Sequence, residues 1–72
     1  MTVEEWIATF AEACGQPTPD PAMVETILEL AGVAAHASGR QAAPVTCWLA
    51  AKAGMTPQAA LDLARSVATP GS

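Results

Sequence analysis

Two glutamates, Glu25 and Glu29, are the first residues in this chain whose spacing suggests chemistry. Four residues apart, they share one helix face, where paired carboxylates can exchange a proton or hold a metal. No third oxygen or nitrogen ligand follows at a metal-binding spacing, so a solvated helix face is the simpler reading. Glu4, Glu5 and Glu12 fall on the outer face of the first predicted helix, where capping and the helix dipole account for the carboxylates near its start. His36, the chain's one histidine, sits near the end of the second predicted helix, where the dipole favours a cation. It shares a polar stripe with Glu29 across the small Gly32. Read functionally, Gly32 is a notch for a partner's side chain or a ligand, flanked by Glu29 and His36. Read structurally, His36 is a solvated histidine at a helix end or bonds to the connector that follows.

That connector, His36 to Leu49, is the most unusual stretch of the chain. It holds the histidine, the cation Arg40, the helix breaker Gly39, and Pro44, which restarts a helix. Arg40 can bond the orphan carbonyls that end the second helix, and Thr46 can cap locally. Alternatively, Arg40 and the free N–H groups at the third helix start receive a carboxylate or phosphate. Trp48, just beyond, is a typical interface anchor if it reaches solvent. Cys47 invites a nucleophile reading, because a helix start lowers a thiol pKa. Yet the chain lacks asparagine, and nothing positions a base beside that thiol. Cys14 and Cys47 form no C-x-x-C pair, and with one histidine they supply no zinc set. Both are expected to be small buried core residues. No dinucleotide, phosphate-loop or G-x-S-x-G motif is present, so no catalytic residue, metal ligand or cofactor is assigned.

Four helical segments must position these residues. The first carries Val3, Trp6, Ile7, Phe10, Ala11 and Cys14 on what the spacing predicts is one buried face. Thr2 and Glu5 form a capping box, Gly15 is placed for a left-handed C-cap, and Pro17 and Pro19 bar continuation. Asp20-Pro21 opens the second and longest segment, apolar around most of its circumference apart from Glu25, Glu29, Gly32 and His36. Such a helix is expected at the centre, with Ser38 and Gly39 ending it. Pro44 lies in the first turn of the third helix; Val45, Trp48 and Leu49 are expected to face inward, with Gly54 as terminator. Thr56-Pro57 starts the fourth, whose apolar set is Ala60, Leu61, Leu63, Ala64, Val67 and Ala68. Gln58, Asp62, Arg65 and Thr69 form its solvated face. No segment alternates with period two. The prediction is an all-α, compact four-helix single domain over residues 1–68, with residues 69–72 as a frayed tail.

Composition narrows the function classes. Half of the chain (51%) is hydrophobic, only 14% is charged, and the formal net charge is −4. That balance argues for a globular domain. Three scattered cations build no nucleic-acid interface and no anchor on an anionic membrane. No apolar run approaches the roughly 20 residues of a membrane span, and the N-terminus resembles no signal peptide. A cytoplasmic protein is expected. A chain of this size supplies only about 3–5 kcal/mol from one core, so a partner or a homo-oligomer would help.

The order of motifs also resembles a family, a small actinobacterial helical domain of unknown function (DUF6457-like). The shared features are Trp6 in the first helix, His36 to Arg40 ending the second, then Ala42-Ala43-Pro44-Val45-Thr46 and Trp48-Leu49. The match covers nearly the whole chain. Gln41 stands where relatives usually carry proline, which loosens the connector. The resemblance implies a stand-alone protein or an extension of molybdenum cofactor guanylyltransferase-like proteins. It therefore implies a place beside molybdopterin guanine dinucleotide maturation or a molybdoenzyme, without implying transferase activity here.

The expectation is a non-catalytic interaction module with a protein partner, a molybdoenzyme or cofactor-maturation factor. Its recognition surface comprises Glu29, Gly32, His36, Arg40, Pro44, Thr46 and Trp48. The alternatives are a protein binding a small anionic ligand or cofactor at Arg40, and a structural homo-oligomer packing through alanine-rich faces.

Overall fold

A computed structural model describes residues 1–69. The predicted tail residues 70–72 lie outside the described residues. The described residues are all-α, four helices in one small domain: α1 (Val3–Ala13), α2 (Pro21–Ala37), α3 (Ala42–Lys52) and α4 (Pro57–Ala68).

Side-chain caps account for three of the starts. Thr2 Oγ1 accepts from Glu5 N at 3.0 Å while Glu5 Oε1 accepts from Thr2 N at 3.0 Å, closing the capping box of α1. Asp20 Oδ1 accepts from Met23 N at 2.8 Å, and Thr56 Oγ1 from Ala59 N at 3.2 Å, each ahead of a proline at the first helical position. Helix α3 has no side-chain cap; its start is a tight turn in which Ala42 N donates to Gly39 O and Ala43 N to Arg40 O.

The predicted glycine terminators are both present. Gly15 has φ 74° and Gly54 φ 76°, in the left-handed region that glycine enters without a Cβ penalty. After α3, Met55 N donates to Ala50 O and Gly54 N to Ala51 O, the two bonds of a Schellman motif. That motif swings Met55 inward against the core. Gln16 N to Ala11 O and Gly15 N to Glu12 O close α1 in the same way.

Helix α2 is central, packed between α3 and α4. The core is small: Leu30 from α2 with Ala60 and Leu61 from α4, supported by half-buried Val33, Cys47, Ala50, Met55 and Ala64. From α3, therefore, Cys47 and Ala50 face inward, one turn apart. Val45, Trp48 and Leu49, expected inside, are instead 57%, 59% and 55% exposed. The close approach of α3 to α2 selects the small side chains of α3 and leaves its large ones outside.

Helix α1 departs furthest from expectation. Helix α1 makes no close backbone approach to the other three helices, so most of its apolar face stays uncovered. Ala11 is buried and Ile7 half-buried, but Val3, Trp6 and Phe10 are exposed. The radius of gyration, 13.0 Å, exceeds the roughly 11 Å expected of a compact chain this long. Cys14, at the end of α1, is exposed rather than buried, its Sγ donating to Ala11 O at 3.4 Å.

Candidate functional site

Among the residues of the polar surface expected from Glu29 to Trp48, no side-chain hydrogen bond or ion pair links one to another in the described residues. Glu29 Oε2 lies 3.2 Å from Arg65 Nη2, so the carboxylate pairs across to α4 instead of joining His36. His36 is exposed at the end of α2. Gly32 is a half-buried helix residue, and a Cβ built there would meet no atom within 4 Å. It is open ground and not a notch shaped by neighbours.

Arg40 is exposed in the turn before α3 and, among the described residues, its guanidinium makes no hydrogen bond or ion pair. The carbonyl end of α2 is served instead by Ser38, whose Oγ donates to Ala34 O at 2.9 Å. An anion would find little at the adjacent helix start. Ala42 and Ala43 spend their N–H groups within the turn, and exposed Pro44, third in the helix, has none. Trp48 is a surface residue, with Lys52 Nζ 4.7 Å from its ring centroid, a cation–π contact within α3. Thr46 is half-buried and points elsewhere, toward the groove described below.

Burial pushes the Cys47 thiol above its ordinary value, opposite to what a nucleophile requires. Among the described residues, no three His, Cys, Asp or Glu side chains gather closely enough to hold a metal ion.

What the structure does build is an apolar groove of about 790 Å³ between α2, α3 and α4. Its floor is Leu30, Val33 and Ala34 of α2. Leu49 and Ala50 of α3 form one wall, and Ala60, Leu63, Ala64 and Val67 of α4 form the other. Ser38 and Thr46 are the polar side chains in the lining, and no charged side chain takes part. The groove stays open because α3 and α4 each pack mainly on α2 and barely on each other. Leu63 and Val67 are consequently 51% and 67% exposed, a large uncovered apolar area for so small a chain.

In the sequence the groove is hidden, because the apolar residues of α4 look like a single core face. A signal was present nonetheless. At 100° per residue, Leu63 to Leu61 sweeps an arc of about 160°, wider than one helix–helix contact takes up. The surplus edge, Leu63 and Val67, forms the groove wall.

Among comparisons with known proteins, no curated protein and no solved structure matches the chain. A family model does, over residues 1–69 and so across all four helices, and the chain accordingly belongs to the family described as domain of unknown function DUF6457.

Proposed function

We propose that this domain is a non-catalytic interaction module whose working surface is the groove between α2, α3 and α4, which takes up an amphipathic helix. The observation that carries this reading is the open groove itself, mostly apolar, without a charged side chain, and walled by exposed Leu49, Leu63 and Val67. Helix-in-groove recognition lays the apolar face of a helix into a hydrophobic groove, with anchors entering at successive turns.

We further place the module beside molybdenum cofactor maturation or a molybdoenzyme, in the cytoplasm. Support for the biological setting comes from the family resemblance of the Trp6, His36–Arg40 and Ala42–Leu49 motifs. The unpaired thiols of Cys14 and Cys47 accord with a reducing compartment. Among the described residues, no helix is long and apolar enough to cross a membrane.

Affinity capture with wild-type and substituted chains tests the reading. Leu63→Gln with Val67→Gln changes exposed groove positions and should abolish recovery of a cofactor-maturation partner. His36→Ala with Arg40→Ala should retain it. The reverse pattern would move the working surface back to the connector.

A further inference from the structure

Helix α1 and the groove present two uncovered apolar surfaces on one chain, and their shapes correspond. Val3, Trp6, Ile7 and Phe10 stand at i, i+3, i+4 and i+7, the anchor spacing of a helix that lies in a groove. Val3, Trp6 and Phe10 are 70%, 58% and 57% exposed. Trp6 and Phe10 already pack ring to ring, with centroids 6.0 Å apart and planes at 30°, so the two largest anchors form one aromatic ridge. From Val3 to Phe10 the ridge spans seven helical steps, about 10 Å. The groove wall from Ala60 to Val67 spans the same seven steps. Glu5 and Glu12 fall on the opposite face of α1, so docking the ridge buries neither carboxylate.

We infer that the groove of each chain is filled by helix α1 of a second copy, in a reciprocal two-fold dimer. The inference rests on the groove being a helix-binding surface, as proposed above. Surface area supports an interface of this size. The chain exposes 5402 Å², whereas a compact monomer of 7.3 kDa exposes about 4,200 Å². The excess, roughly 1,200 Å² per chain, exceeds the roughly 800 Å² that each partner contributes to a standard stable interface. In a reciprocal exchange each copy donates one ridge and one groove, so closed symmetry covers both surfaces on both chains, and a partner's helix enters the groove only by displacing α1.

The linker favours a second copy over self-docking. Residues 14–20 include Pro17 and Pro19, whose fixed φ values stiffen the segment. Helix α1 makes no close backbone approach to α2–α4, and Val3, Trp6 and Phe10 are presented outward.

Sedimentation equilibrium of the full chain over a range of concentrations, with disulfide trapping, tests the inference. The wild type should be a dimer, and Trp6→Ala or Leu63→Gln should each weaken dimerisation at least tenfold. All the substituted side chains are exposed, so helicity by circular dichroism should be unchanged. In a background carrying Cys14→Ser and Cys47→Ala, a Phe10→Cys chain mixed with a Leu63→Cys chain should form a disulfide heterodimer under mild oxidation. A wild-type monomer at every concentration would overturn the second-copy occupant. So would a dimer that survives both Trp6→Ala and Leu63→Gln, or a Phe10→Cys/Leu63→Cys chain that cross-links within a monomer. If the chain proves monomeric while the Leu63 and Val67 substitutions still abolish partner capture, the inference fails and the helix-binding reading stands. If partner capture also survives them, both fail.

Discussion

Arg65 of α4 reaches Glu29 of α2 with Nη2 3.2 Å from Oε2, the one ion pair among the described residues that joins two helices. The side chains are 56% and 52% exposed, so water screens the pair and its contribution is small. A double-mutant cycle with Glu29→Gln and Arg65→Gln should give a coupling of about 0.2–1 kcal/mol, fading at high salt. A much larger, salt-insensitive coupling would show the pair to be shielded in a way this geometry does not provide.

Leu30 holds the domain together. It is 2% exposed and lies against Ala60 and Leu61. Leu30→Ala should cost about 2–5 kcal/mol, comparable with the whole stability that one small core supplies. The variant should be largely unfolded at 25 °C by circular dichroism. A cooperative melt close to that of the wild type would contradict the packing described.

Two glycines should respond oppositely to alanine. At Gly54, φ is 76°, so Gly54→Ala forces an L-residue into the left-handed region and should cost about 1 kcal/mol or more. Gly32 lies inside α2 with no atom within 4 Å of a built Cβ. Gly32→Ala should therefore stabilise by about 0.5–1 kcal/mol, the ordinary helix-propensity gain. Urea denaturation of both variants decides the matter. Loss of stability at Gly32→Ala would reveal a close neighbour absent from this structure.

Acid should weaken the start of α1. The backbone N–H and hydroxyl of Thr2 hold the Glu5 carboxyl below its ordinary value, so the folded state favours the ionised form. The stabilisation is complete above the unfolded glutamate value, about pH 4.3. It is lost as pH falls through the lowered folded value. Glu5→Gln keeps a carbonyl oxygen for the Thr2 N–H and removes this contribution to the pH dependence, readable as helicity against pH. An unchanged acid profile in the variant would place the titration elsewhere.

The helices and their punctuation were legible because local chemistry sets them. The capping box at Thr2 and Glu5, the Asp20-Pro21 and Thr56-Pro57 starts, and the left-handed Gly15 and Gly54 need no tertiary partner. The central place of α2 also followed, from its nearly continuous apolar circumference. Periodicity failed to say what each apolar stripe touches. The spacing of α1 predicts a buried stripe, yet Trp6 and Phe10 face outward, because spacing shows that a face seeks cover and not which surface provides it. The third helix misled for a different reason. Its large residues Val45, Trp48 and Leu49 outweigh Cys47 and Ala50 in hydrophobicity, but only the smaller pair allows close approach to α2. At the expected site, Glu29 and His36 lie on one stripe as predicted. The sequence offers no local sign that Arg65, on another helix, takes Glu29.

The most direct test of the central claim is the emission of Trp6, measured in a Trp48→Phe chain from high dilution to high concentration. Docking of α1 into the groove of a second copy predicts the spectrum of an exposed indole at high dilution, shifting to the blue as concentration rises. Leu63→Gln should abolish that shift. An emission maximum that stays at one wavelength across the whole range would contradict the account.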